Sequence, residues 1–433
     1  MLVGQSITCE VKGYHMKVML KYGQTEKELS ISEKAVVSVL NPSKVPVIEG
    51  VEEAFEKAMT FPIGGKTLET MEVPGSVAIA VADESRPTPT KLLLPLLLKR
   101  LYRAYLGLSP EQITIIIGSG LHPPLDEEGI RRVVPEATAP GCRVIAHDAV
   151  HSPMTDYGFT SRKTPVVMNK ELAKADLKLV IGNIDPHQFV GFTGGSKGIV
   201  IGCASQRTIE ANHALMFDEN AYVANIEGNA VRLDIDEAGD MIGIPLVVNV
   251  VLDASNGIVK LLAGEPTAVY REGAKTCADL YGVAIEEKYD IIVASCGGYP
   301  KDLNMYQAQK GFAHAALAVK RGGKILVLAQ CPQGVGDDVY FDYVKTMPTP
   351  EAVLDDFKKN GFRMGAHKAF LLSRTLVAFD VAIASDIEGE TLQKCHLKKC
   401  EPQETIERWI SEFPGSPRVA IVPKVNSAYF YEK

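Results

Sequence analysis

At 433 residues the chain is too long for one ordinary hydrophobic core, and its length fits about two or three domains. Hydrophobic content of 46% beside 23% charged residues belongs to a globular, water-soluble chain, and a formal charge of −7 gives no general attraction for nucleic acid. The eight cysteines are scattered, no secretion signal is legible in Met1 to Gly23, and the apolar run Leu93 to Leu98 is broken by Pro95, so reduced thiols, a cytoplasmic location and no membrane segment are expected.

Short apolar stretches ending in polar or glycine-rich turns recur along the chain, separated by segments of helical composition, as in the βα units of a parallel sheet. Val77 to Ala82 runs into Asp83-Glu84-Ser85-Arg86-Pro87-Thr88-Pro89, with a helix expected over Lys91 to Tyr105. Ile113 to Ile117 runs into Gly118-Ser119-Gly120-Leu121-His122, and Leu177 to Ile181 into Gly182-Asn183-Ile184-Asp185-Pro186-His187. Each loop leaves the carboxyl end of a strand, the edge at which open α/β sheets bind ligands, so the three motifs are expected to share one site. A second series of strands is read at Ile291 to Ala294, Lys324 to Leu328 and Leu376 to Ala384. The fold class is therefore α/β, with two Rossmann-like domains, mostly parallel sheets and an active-site cleft between them. Residues 1–281 are assigned to the first domain and 282–415 to the second. The final segment, 416–433, is expected to return to the first.

Asp185-Pro186-His187, Gly194-Gly195-Ser196-Lys197 and Asn212-His213 place two imidazoles and a lysine around a glycine turn. Gly191 to Gly198 is not a P-loop, because Ser196 and Gly198 stand where that pattern needs glycine and Ser or Thr. A turn of this composition also serves as plain structure with a solvated lysine. His213 lies in an amphipathic helical segment, Thr208 to Phe217, where a ring would be held rigidly, yet one histidine makes no metal site without another donor. His122 is a candidate acid or base between a glycine turn and Pro123-Pro124. Asp83 and Arg86 suit a carboxylate or phosphate, and Pro87 and Pro89 equally suit the start of a helix. In the second domain Asp302 is read as a helix cap before Tyr306, Gln307 and Lys310, which share one helix face. Cys395-His396 with Cys400 lacks a partner pair for structural zinc.

Taken in order, Asp83-x-x-Arg86-Pro87-Thr88-Pro89, Gly120-x-His122, Pro186-His187 with Gly191-Phe192-Thr193-Gly194-Gly195-x-Lys197, Asn212-His213 and Tyr306-Gln307-x-x-Lys310 resemble the nickel-pincer-dependent lactate racemase family along nearly the whole chain. The resemblance implies a nickel-bearing pyridinium mononucleotide joined covalently to Lys197, with His213 as nickel ligand and with Asp83, Thr88, Gly194, Gly195 and Tyr306 around the cofactor. It implies His122 and His187 as acid and base on opposite faces of a 2-hydroxy acid, and Arg86, Gln307 and Lys310 as its orienting groups. Cofactor-synthesis enzymes are implied as maturation partners. Pro123-Pro124 and Ile201 depart from the family's pattern at positions that bear on substrate choice rather than on the reacting groups.

The implied cofactor answers a chemical need. The α-hydrogen of a 2-hydroxy carboxylate is too weakly acidic for a histidine base alone, whereas removing it as hydride while a histidine takes the hydroxyl proton gives a planar 2-keto acid. Hydride returned to either face produces a racemase or epimerase. Two other readings stand beside it: a metal-dependent hydrolase with His122, His187 and His213 as ligands, and a carrier of the nickel mononucleotide that needs only Lys197 and His213.

Overall fold

The computed structural model describes residues 10–11, 15–43 and 45–433. They form two compact α/β units, one of Lys44–Leu280 and one in which the described chain up to Ser43 joins Tyr281–Lys433.

In the Lys44–Leu280 unit, six strands run in the order Ile258–Gly264, Leu246–Leu252, Leu177–Ile184, Val77–Ala82, Ile113–Gly118, Arg143–Ala146, all parallel except the first pair. Alternation sorts their side chains. Val77, Ile79 and Val81 join Ile113, Ile115 and Ile117 on one face, packed with Phe55, Met59 and the Leu93, Leu97, Leu101 stripe of the helix Thr90–Ala104. The opposite face carries smaller residues, among them Ala80, Ala82, Gly118 and Gly182, and a backbone segment can lie close to it. A side chain on Gly118 would press on the backbone of Gly202 at 3.0–3.1 Å, so this glycine lets the Gly194–Gly202 segment settle onto the sheet. The chain order reverses between Val77–Ala82 and Leu177–Ile184, which makes their carboxyl ends the expected ligand crevice.

The other unit has an all-parallel six-stranded sheet, ordered Lys398–Lys399, Asp380–Ala384, Val319–Leu328, Tyr289–Ser295, Arg418–Val422, Val36–Val39. The hairpin His15–Tyr22/Thr25–Ser32 and the helix Pro402–Glu412 pack on one face through Val18, Leu20, Leu29, Ile31, Ile406 and Trp409.

Three expectations need correction. The final segment does not return to the first domain: Arg418–Val422 pairs with Tyr289–Ser295 and with Val36–Val39, burying Val419 and Ile421 in the second unit's core. The chain up to Ser43 likewise belongs to that unit, because its strands find their hydrogen-bonding edge and apolar face there. The apolar run Leu376 to Ala384 is not one strand. The helix His367–Ala378 ends at Phe379, in extended conformation, before the strand Asp380–Ala384. An apolar run without alternation serves a buried helix end as well as a buried strand.

Candidate active site

The loops after Val77–Ala82, Ile113–Gly118 and Leu177–Ile184 surround a cavity of ≈ 100 Å³. Asp83, Arg86, His122, Gly194, Gly195 and Lys197 all line it. Thr88 is tied to the same wall, since its hydroxyl donates to Asn183 Oδ1 at 2.9 Å. Ser119 also lines the cavity, buried, with a hydroxyl that has no hydrogen-bond partner.

His122 is set by Asp83. Its Nδ1 lies 2.8 Å from Asp83 Oδ2, and a carboxylate only accepts, so Nδ1 carries the hydrogen and the neutral ring keeps its lone pair on Nε2. The Ser85 hydroxyl and backbone N–H donate to the other Asp83 oxygen at 2.5 and 3.2 Å. Burial works against the Asp83 charge, but the hydrogen bonds from His122 and Ser85, then the charge of Arg86, outweigh it and hold the carboxyl below its ordinary range.

Lys197 opens a short helix, Lys197–Val200, after a turn in which Gly194 and Gly195 have φ of 90° and 57°. Two buried side chains grip this turn. Asn249 Oδ1 accepts from Gly195 N–H at 2.8 Å, and Arg232 donates to the Gly194 carbonyl at 3.0 Å. The Arg232 guanidinium lies 3.7 Å from the Tyr270 ring centroid and is paired with Asp236. Burial, then the charges of Arg86 and Arg232, push the Lys197 amine down to about 7, so a substantial share is neutral and nucleophilic near neutral pH.

His187 and His213 flank one aromatic ring. Phe189 meets His187 edge-on at 4.7 Å between centroids and His213 at 5.1 Å. His187 Nδ1 accepts from the backbone N–H groups of Val190 and Phe189 at 3.3 and 3.5 Å, which places the hydrogen of the neutral ring on Nε2. His213 is buried on the helix Gln206–Ala214. Among the described residues no three His, Cys, Asp or Glu side chains come together as a metal site, which removes the support for three histidines acting as hydrolase ligands.

Tyr306, Gln307 and Lys310 lie in the other unit. Tyr306 and Gln307 lie on Met305–Ala308 and Lys310 opens Lys310–Ala315, two short helices joined through Gln309, which is itself in helical conformation. The cap is not Asp302 but Asn304, whose side chain accepts from Gln307 N–H. Asp302 is buried instead, accepting from Gly23 and Gln330 N–H groups. Gln307 is exposed, and Tyr306 carries the Lys368 ammonium 5.0 Å from its ring centroid.

Sequence reasoning passed over Ser119, Asn183, Arg232 and Asn249. Ser119 and Asn183 were visible as polar residues inside loops already marked. Arg232 and Asn249 carried no local signal: one sits in a helix and the other in an apolar strand, 35 and more residues after Lys197.

Fold and site together define a two-unit α/β protein with a histidine–carboxylate pair and a depressed-pKa lysine at the switch point of a parallel sheet. The lactate racemase N-terminal domain model matches residues 22–224 and the lactate racemase C-terminal domain model residues 285–424. This chain belongs to the lactate racemase family. Lactate racemase of Thermoanaerobacterium thermosaccharolyticum is 28% identical over 380 residues, 85% of this chain and 88% of that protein. Lactate racemase of Lactiplantibacillus plantarum is 28% identical over 383 residues, 86% and 89% of the respective chains. The structure of the lactate racemase apoprotein from T. thermosaccharolyticum superposes with a TM-score of 0.87 at 26% identity, covering 96% of this chain and all of that one. A Thermotoga maritima protein shares the fold with a TM-score of 0.60 at 17% identity, covering 90% of this chain and all of its own.

Proposed function

We propose that this chain, an isomerase by its family, interconverts the configurations of a 2-hydroxy acid, with lactate as the first substrate to test. The observation that carries the reading is Lys197: an amine pushed down to about 7, on a gripped glycine turn, in the same cavity as the Asp83–His122 pair.

The implied cofactor is a nickel-pincer pyridinium mononucleotide, and the residues fit it. A partly neutral Lys197 amine suits covalent attachment, the partnerless Ser119 hydroxyl in the same cavity is an orphan that a polar ligand would satisfy, and Arg86 offers a guanidinium to an anionic group. His213 would ligate the metal. Asp83, Thr88, Gly194, Gly195 and Tyr306 are assigned to cofactor binding on the same reading. When bound, the group supplies a reversible hydride acceptor.

His122 and His187 rest in complementary states. His122 offers a lone pair on Nε2, so it would take the hydroxyl proton of one enantiomer, the proton that must leave for a 2-keto acid to form. His187 has the hydrogen on Nε2, so in this state it can donate a hydrogen bond to the substrate oxygen, and its assigned acid/base role on the opposite face would require the ring to take up and release a further proton. Arg86, Gln307 and Lys310 are assigned to holding the carboxylate and the oxygen that gains negative character. Maturation would need partner enzymes that build the cofactor. The Asp83–His122 pair speaks against a simple carrier, which has no use for a positioned base.

The test is intact mass and nickel content of protein produced with the cofactor-synthesis enzymes, beside Lys197→Ala. An adduct with about one nickel per chain, lost in the variant, together with racemisation of lactate or another 2-hydroxy acid, is expected. An unmodified mass in fully supplied wild-type protein would overturn the reading.

A further inference from the structure

We propose that Asp234, acting through Asn212, is a positioning residue that fixes the tautomer of His213, with the ring hydrogen on Nδ1 and the lone pair on Nε2. The consequence for nickel rests on the reading of His213 as its ligand; the tautomer itself does not.

The argument is one of donors and acceptors. Asn212 is fully buried on the helix Gln206–Ala214, and Asp234 is 1% exposed on the helix Ala230–Ile242. The Asn212 amide nitrogen donates to Val231 O at 3.2 Å and to Asp234 Oδ2 at 2.8 Å. A backbone carbonyl and a carboxylate accept but never donate, so both amide hydrogens are committed and the side chain cannot be turned the other way round. Its oxygen must then face His213, and it lies 3.2 Å from Nδ1. An amide oxygen has no hydrogen to give. The bond therefore requires N–H at Nδ1, and the neutral imidazole keeps its lone pair on Nε2.

The far end of the relay is held as well. The Thr160 hydroxyl donates to Asp234 Oδ1 at 2.5 Å and accepts from Thr164 N–H at 3.1 Å, so the carboxylate has a partner on each oxygen. Phe189 lies edge-on against the ring at 5.1 Å and restrains its rotation. Free imidazole in a histidine side chain favours the hydrogen on Nε2, so the relay acts against the intrinsic preference. It also sets His213 opposite to His187, whose Nδ1 accepts from backbone N–H groups. Two histidines on either side of one phenylalanine are thus held as opposite tautomers, one suited to ligate through Nε2 and one to donate from it. A histidine that ligates a metal is commonly fixed this way through its second nitrogen, and loss of the outer partner costs about 10–100-fold in metal affinity or activity.

The test uses ¹⁵N-histidine-labelled apoprotein, made without the cofactor-synthesis enzymes, in long-range ¹H–¹⁵N correlation spectra. His213 and His187 are assigned by their loss in His213→Gln and His187→Gln. Expected in the wild type are a protonated-type Nδ1 and an unprotonated-type Nε2 for His213, with the reverse for His187. Asn212→Leu should move His213 toward the Nε2–H pattern, and Asp234→Asn should give a mixture of the two. A wild-type His213 with hydrogen on Nε2, or an Asn212→Leu spectrum unchanged at His213, would overturn the proposal. If Asn212→Leu fails to fold, the wild-type spectrum and Asp234→Asn still decide it. In matured protein, Asn212→Leu should keep the Lys197 adduct and hold nickel about 10–100-fold more weakly. Full nickel retention by His213→Ala would sink the ligand reading while leaving the tautomer result standing.

Discussion

The two units present the same kind of sheet edge and use it in opposite ways. In each, parallel strands end in glycine-rich or polar loops beside a reversal of chain order, between Val77–Ala82 and Leu177–Ile184 in one and between Tyr289–Ser295 and Arg418–Val422 in the other. At the first edge the loops stand around a cavity that holds Lys197, His122 and Asp83. At the second, the tip of the hairpin His15–Tyr22/Thr25–Ser32 covers the carboxyl end of Tyr289–Ser295, and the cavity of ≈ 360 Å³ beside it, lined by Tyr22, Ser385 and Asp386, holds no histidine among the described residues. Gly23 N–H donates to Asp302 at 2.7 Å, Ser295 Oγ to the Lys21 carbonyl at 2.5 Å, and the Tyr22 hydroxyl to Asp386 at 2.5 Å. Several backbone and side-chain polar groups that could have met a nucleotide thus find partners within the chain. A Rossmann-like sheet therefore marks where a ligand could bind; whether one does depends on what else the chain lays on that edge.

The contrast can be broken most severely at the open edge. His122→Ala should lower turnover of matured enzyme by about 10²–10⁴-fold while leaving the Lys197 adduct in place, as judged by steady-state rates beside intact mass. An unaffected rate would remove His122 from the chemistry. Arg232→Met should cost about 3–5 kcal/mol in denaturant unfolding, because Asp236 loses its partner and the Gly194 carbonyl its donor; a loss below about 1 kcal/mol would show that the turn does not depend on this grip.

A gentler change tests the lysine by pH. The folded-state Lys197 amine lies near 7 against about 10.4 in an unfolded chain, so between these values the unfolded state binds more protons and stability rises with pH. Lys197→Met in apoprotein should therefore stabilise by at least about 1 kcal/mol at pH 6 to 7, with the gain shrinking toward pH 10. A pH-independent difference in unfolding free energy would contradict the depressed amine. The smallest effect is expected at the hairpin-covered edge. Gly23 has φ of 57° and a Cβ there would overlap the Gln330 side chain, so Gly23→Ala should cost roughly 1–2 kcal/mol without altering nickel content of matured protein. Loss of nickel in that variant would show that the hairpin-covered edge bears on the site.

Much of the architecture could be read directly. The strands at Val77, Ile113, Leu177, Ile291 and Lys324 announced themselves because strands buried on both faces are continuous apolar runs closed by polar loops. The same rule failed at Leu376 to Ala384, where a buried helix end and a buried strand are both apolar. It was silent on Val36–Val39, and the final segment with Arg418–Val422 was assigned to the wrong unit, because their common sheet depends on pairing across most of the chain length. Asp83, Arg86, His122 and Lys197 were legible because loops at strand ends concentrate reactive residue types. Asn249 in an apolar strand and Arg232 and Asp234 on a helix looked like neighbours of a core, and only their distant partners give them a role.

By itself, then, the sequence determined the α/β class, the three polar loops at strand ends and the family motifs, since each depends on residues within a few positions of one another. Tertiary structure alone decided which edge gathers a lysine and a histidine–carboxylate pair around a cavity, which unit claims the two ends of the chain, how far the Lys197 amine is depressed and which nitrogen of His122, His187 and His213 bears the hydrogen. Those properties depend on burial and on hydrogen-bond partners that lie from a few residues to several hundred away along the chain, and local sequence carries no record of them.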